Sequence, residues 1–292
     1  MSIKEELKSK RNKLSESSLT TYSSILRNLY KKVFNDEQIK LTNFNKTKQI
    51  IEYIKDVPFN KRKSILSALV VLTDLDEYRK LMLEDINKYN SFIKTQEKTE
   101  TQENNWIEKE QIEDVFNRLE KDAKQLYKKQ QLSMNDLQNI QDYIIVALLS
   151  GLFIPPRRLL DFTEFRTKNI DKDKHNYYNR GSIYFNDYKT AKHYGEQSIK
   201  IPKELQTILT KWIKINPNEY LLFDTNNNKL NSVKLNQRLN KIFNGKVSVN
   251  NLRHSYLTDK FGDTIEKNKQ IANTMEQMGS SSSQLQGYVK ND

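Results

Sequence analysis

Twelve consecutive residues, Lys94 to Asn105 (KTQEKTETQENN), carry no apolar side chain. Such a run has nothing to bury, so it cannot offset the entropy of being ordered inside a core. It reads as an exposed linker or, alternatively, as a long solvated helix. Under either reading no core passes through it. The chain on each side must build its own, which divides it into residues 1–93, a connection 94–105, and residues 106–292.

The first part carries helical periodicity. Leu19, Tyr22, Leu26, Leu29 and Val33 recur at spacings of three and four, with Ser17 or Ser18 available as the cap. Ile50, Ile51 and Ile54 mark a second helix, and Ile65, Leu66, Leu69 and Leu72 a third, opened by Asn60-Lys61-Arg62-Lys63. Leu81, Leu83 and Ile86 suggest a fourth. Residues 1–93 are therefore expected to form a small helical bundle with basic helix ends. Lys61, Arg62 and Lys63 are candidate phosphate contacts, although each alone reads first as a solvated face.

The second part mixes periods. Trp106 to Leu119 and the strongly apolar Leu137 to Leu149 read as helices, the latter ended by Pro155-Pro156. Ser182 to Phe185 and Gln197 to Pro202 read as two strands around a polar turn. Leu205 to Ile213, Val233 to Phe243 and Leu252 to Lys260 are helical again. The expected class is mainly α, with a mixed α/β second domain.

Charge narrows the partner. The 292 residues carry a formal net charge of +12, an excess that favours a polyanion, most often nucleic acid. Cysteine is absent, which excludes disulfides and thiolate metal sites. His175, His193 and His254 show no ligand spacing, so no metal is expected. No apolar run is long enough to cross a bilayer, and the N-terminal residues lack a signal-peptide core. A soluble intracellular protein without membrane contact is expected.

Four segments carry candidate chemistry. Breaking a phosphodiester without a metal needs a nucleophile in line with the leaving oxygen, fixed donors for the added negative charge, and an acid for the leaving oxygen. Arginine suits the second task, because its fork matches two phosphate oxygens and stays charged. Lysine suits the third and tyrosine the first. Arg157-Arg158 precede Asp161, which stands one helical turn beyond Arg158. Lys189-Thr190 lie between the two expected strands, with Lys192 as a rival. Asn250-Asn251-Leu252-Arg253-His254-Ser255 open a helix, and Met278-Gly279-Ser280 precede Tyr288, one of 15 tyrosines.

The order and spacing of these segments resemble the tyrosine recombinases, the phage-integrase family. Arg158 with Asp161 is similar to the family's G-x-R-x-x-E box, with Pro155-Pro156 in place of its glycine-leucine; Arg166-Thr167-Lys168-Asn169-Ile170 resembles its R-x-K-D-I segment. That distance favours Arg158 over Arg157, which stays an alternative. Leu252 to Ser255 match H-x-L-R-H-[TS], with Asn250 in place of the leading histidine; asparagine can donate to phosphate but cannot act as a base. Met278-Gly279-Ser280 resembles L-G-H-S, with Ser280 in place of histidine.

The resemblance implies a two-domain C-shaped clamp of helical bundle and catalytic domain around double-stranded DNA. It implies strand cleavage and joining through a 3′-phosphotyrosine, without a cofactor, by a homo-tetramer on paired sites. It casts Tyr288 as nucleophile, Arg158 and Arg253 as phosphate binders, and Lys189 as general acid. Asn250, His254 and Ser280 become supporting donors, and Arg157 and Lys192 DNA contacts. The two substituted positions are similar to divergent integrases of mobile elements or of large DNA viruses and their satellites. A type IB topoisomerase and an inactive DNA-binding relative remain the alternatives.

Overall fold

The structure, a computed structural model, describes residues 2–289. The chain divides into two compact units, Met1–Lys98 and Thr99–Asp292. It is mainly helical, with one small sheet.

The first unit contains α1 (Ile3–Lys10), α2 (Glu16–Phe34), a 3-10 turn (Leu41–Asn45), α3 (Thr47–Ile54), α4 (Phe59–Thr73) and α5 (Asp76–Thr95). A capping box of Ser2 and Glu5 starts α1. Ser15 caps α2, with its side chain accepting from the Ser18 N–H. The expected caps, Ser17 and Ser18, lie inside the helix, because Glu16 already follows the cap. α4 buries Leu66, Ala68, Leu69, Val70, Val71 and Leu72, which leaves it almost no polar face and makes it the central helix. Tyr30 and Tyr78 are fully buried beside Phe44, and the Tyr78 hydroxyl donates to the Phe44 carbonyl at 2.8 Å.

The apolar-free run is not uniform. α5 continues to Thr95, Gln96 takes a left-handed conformation, and Thr99 caps a short α6 (Glu100–Asn104).

The second unit continues with α7 (Lys109–Leu126) and α8 (Met134–Leu149). α7 starts later than the expected Trp106, at a capping box of Glu108 and Gln111, and runs past Leu119. α8 ends at Leu149, before the two prolines, where Gly151 takes φ +94°. Then come α9 (Leu159–Thr163), β1 (Phe165–Arg166), β2 (Asn176–Asn179), β3 (Ser182–Phe185), α10 (Ala191–Tyr194) and β4 (Gln197–Lys200). The sheet order is β1-β2-β3-β4, parallel between β1 and β2 and antiparallel thereafter. Arg180 and Gly181, both at positive φ, make the two-residue turn from β2 to β3. α11 (Lys203–Ile215), α12 (Ser232–Ile242) and α13 (Val249–Gln277) follow, then a 3-10 turn (Ser282–Gln284) and α14 (Leu285–Tyr288). One core runs from Ile107 to Leu252 around α8, which is buried on nearly all sides.

Candidate active site

The site assembles where the end of α8, the start of α9, the β3–β4 connection and the first turns of α13 meet. Gly151 permits the approach: a Cβ there would stand 2.6 Å from Tyr256 Cδ2, and its φ of +94° suits only glycine. Two bonds from α13, Asn251 Nδ2 to the Asn105 carbonyl at 3.1 Å and Ser255 Oγ to the Ile107 carbonyl, fix the helix on residues 105–107. That leaves Asn250, Arg253, His254 and Leu257 on another stripe, at spacings of three and four.

At the centre lies Asp161, 3% exposed. Arg157 donates its Nε to Asp161 Oδ2 at 2.7 Å and its NH1 to Gln197 Oε1 at 2.9 Å. Its guanidinium carbon lies 3.9 Å from the Phe185 ring centroid and 5.1 Å from that of Tyr188. Here the structure corrects the expected pairing of Asp161 with Arg158. Arg158 is the α9 cap, with extended backbone at φ −70° and ψ 153°, so the adjacency of helical neighbours one turn apart does not apply to it. Arg157 takes the carboxylate instead, with its side chain 17% exposed.

Burial pushes the Asp161 carboxyl above its ordinary value, while Arg157, Arg158 and Arg253 each pull it down. Arg253 on α13 thus stands within electrostatic reach of the same carboxylate as Arg158 on α9. Oδ1 of Asp161 is buried without a hydrogen-bond partner among the described residues. Among those residues the guanidinium groups of Arg158 and Arg253 make no hydrogen bond or ion pair either. Arg158 is exposed and Arg253 half-buried. Three arginines against one carboxylate leave an excess of positive charge, with two forks open to an anion.

Lys189 and Lys192, both exposed, lie on the β3–β4 connection. A residue the sequence did not single out ties that connection to α9. Asn176, fully buried, donates Nδ2 to the carbonyls of Asp161 at 2.9 Å and Asp187 at 2.6 Å. Its Oδ1 accepts from the N–H groups of Asn186 at 2.7 Å and Asp187 at 2.8 Å. The one available signal was an asparagine at the head of an aromatic strand, where its propensity is poor.

The remaining expected residues are not brought to the site. Arg253 opens α13 and Tyr288 follows its far end. Ser280 N donates back to the Met275 carbonyl at 2.8 Å, and Ser280 Oγ bonds Gln284 Oε1 at 2.7 Å, so this serine caps the end of α13. Tyr288 is 58% exposed. In the first unit, Arg62 is no free phosphate contact. It holds Asp85, which is fully buried, through two bonds of 2.8 and 2.7 Å, and donates to the Lys55 carbonyl. Lys63 lies over the Tyr89 ring, and burial lowers the pKa of its ammonium. Lys61 alone of the three is exposed.

Among the described residues no cluster of His, Asp or Glu is arranged to hold a metal ion, and no helix is long and apolar enough to cross a membrane. No family model matches the chain, and no curated protein matches it. Among solved structures, the crystal structure of XerA recombinase aligns with a TM-score of 0.37 and 12% identity, over 88% of this chain and 82% of that one. At that level the likeness bears on neither the activity nor the residues.

Proposed function

We propose that the chain cuts and rejoins double-stranded DNA by transesterification through tyrosine. Arg158 and Arg253 bind the scissile phosphate. The Tyr288 oxygen attacks phosphorus and the bond to the 5′ oxygen breaks. Lys189 gives that oxygen a proton, and the phenol proton leaves to solvent. Attack by a 5′ hydroxyl on the phosphotyrosine reverses the step and joins the strands. Asn250 and His254 are supporting donors, and Lys61 and Lys192 contact the DNA backbone. Recombination between two sites would engage four copies.

The observation that carries this reading is the buried Arg157–Asp161 pair, with the Lys189 connection tethered to the same α9 by Asn176 and with Arg158 and Arg253 near enough to act on the Asp161 charge. A second reading, DNA binding without cleavage, is favoured by one observation: Tyr288 lies beyond the far end of α13 from Arg253.

The test is a library of nicked duplexes with a randomised core, incubated with protein and resolved under denaturing conditions. Cleavage beside a nick frees a short fragment and traps the covalent adduct. The wild type is expected to form it, and Arg253→Ala to lose about a hundred- to thousandfold in rate, the usual cost of a fixed donor to developing charge. Absence of adduct with the wild type across the library would favour the second reading.

A further inference from the structure

Lys189 can protonate a leaving oxygen only from hydrogen-bond reach, about 2.6–3.2 Å. Its side chain is exposed and makes no hydrogen bond or ion pair among the described residues. The ammonium sits on a flexible four-carbon stem, so its placement depends on the backbone from which the stem starts. That backbone belongs to the β3–β4 connection, residues 186–196.

One side chain reaches both ends and the middle of this connection. Phe185, the last residue of β3, and Gln197, the first of β4, face each other across the strands. Arg157 donates to Gln197 Oε1 at 2.9 Å and lays its guanidinium carbon 3.9 Å from the Phe185 ring centroid. The same carbon lies 5.1 Å from the ring centroid of Tyr188, the residue before Lys189. Tyr188 is 6% exposed, and its hydroxyl donates across the connection to the Gly195 carbonyl at 2.8 Å. The guanidinium is itself anchored to α9 by the 2.7 Å bond from Nε to Asp161 Oδ2. Asn176 holds the connection only at its start, through backbone groups of residues 186 and 187. A guanidinium suits the remaining task, because its fork binds carboxylate and amide while its face takes aromatic rings.

We infer that Arg157 is a positioning residue for Lys189: it clamps Phe185, Tyr188 and Gln197 to α9 and so fixes the lysine relative to a phosphate held by the adjacent Arg158. Two of its nitrogens are engaged by the protein, which assigns it to the scaffold of the site and not to DNA. The inference rests on the proposed phosphotyrosine chemistry, with Lys189 as the acid.

The leaving group separates this role from a merely structural one. A duplex cleaved in the nicked library is resynthesised with sulfur in place of the 5′ bridging oxygen. Tyr288 attacks phosphorus as before, and the bond from phosphorus to sulfur breaks. A thiolate, whose conjugate acid has a pKa of about 8.5, leaves without a proton; an alkoxide, about as basic as hydroxide, needs one. Arg157→Leu is expected to slow adduct formation on the oxygen substrate about a hundredfold, as ångström-scale misplacement does, and to run within about threefold of wild type on the sulfur substrate. Lys189→Ala should behave alike, and the double variant should be no slower on oxygen than Lys189→Ala, because both changes act through one proton. Equal slowing of Arg157→Leu on both substrates overturns the inference and leaves the chemistry standing, and so does a wild-type rate on oxygen. No adduct from the wild type across the library removes the chemistry, and the inference with it.

Arg157→Leu strands the Asp161 carboxylate and can fail to fold. Gln197→Leu, at a half-buried position, cuts one tie of the clamp and keeps the Arg157–Asp161 pair. It is expected to slow the oxygen substrate about tenfold and to show no defect on sulfur. A defect of equal size on both substrates, or none on oxygen, overturns the inference.

Discussion

Asn176→Leu removes a buried amide while keeping its number of heavy atoms and its branch point, and four hydrogen bonds go with it. The Asp161 carbonyl sits in a residue 3% exposed and is left unsatisfied, a cost of about 1–3 kcal/mol. The three groups on Asn186 and Asp187 lie nearer solvent and can rehydrate, so each loses only the net worth of a hydrogen bond, about 0.5–1.5 kcal/mol. The sum is about 2.5–7.5 kcal/mol, which for a unit of this size lowers the melting temperature on the order of 5–30 °C. The loss is also local. Residues 186–190 lose their tether to α9, so Lys189 becomes available to trypsin under conditions in which the wild type resists. Thermal melting and limited tryptic digestion, with the new cut located by mass spectrometry, read both effects. A melting temperature within a degree or two of wild type and no cut after Lys189 would refute the claim that Asn176 positions the lysine.

Arg62→Ala leaves Asp85 buried without its partner and should cost about 3–5 kcal/mol in urea unfolding of the first unit, with unchanged DNA affinity per folded molecule. Lys61→Ala should do the reverse, keeping stability and reducing the slope of log affinity against log salt by about one. The Asp136 carboxyl is held down to about 2, from an ordinary 3.8, by Lys129 and by the Ser133 N–H and hydroxyl. Its folded value is depressed, so its stabilisation is present above about pH 4 and lost as pH falls toward 2; in an acid titration followed by circular dichroism, Asp136→Asn should show a shallower loss over that window.

What was legible in the sequence was whatever local pattern determines. The apolar repeats of α2, α4 and α8, the two strands flanking Lys189 and the helix opened by Arg253 all follow from spacing and propensity. Four things were not legible. The choice between Arg157 and Arg158 depends on where α9 begins, and the backbone of Arg158 is extended although the pattern suits a helix. The commitment of Arg62 to Asp85 depends on two helices meeting, and a basic run looks the same whether it faces water or a buried carboxylate. The expected helix ended at Lys260, yet α13 runs on to Gln277 through Gly262 and Asp263, two poor helix formers. Asn176 was missed for a related reason: its four partners are backbone groups of α9 and the 186–187 turn, which no side-chain pattern reveals.

The central claim is that a tyrosine at position 288 becomes covalently joined to DNA. It is tested most directly by recovering the denaturant-resistant adduct from the nicked library, digesting it with trypsin and nuclease, and locating the nucleotide-bearing residue by mass spectrometry. The account predicts the modification on the peptide containing Tyr288 in the wild type, and no adduct of any kind from Tyr288→Phe at undiminished DNA affinity. Modification of another tyrosine, such as Tyr256 beside Gly151, or an adduct that persists in Tyr288→Phe, would contradict it.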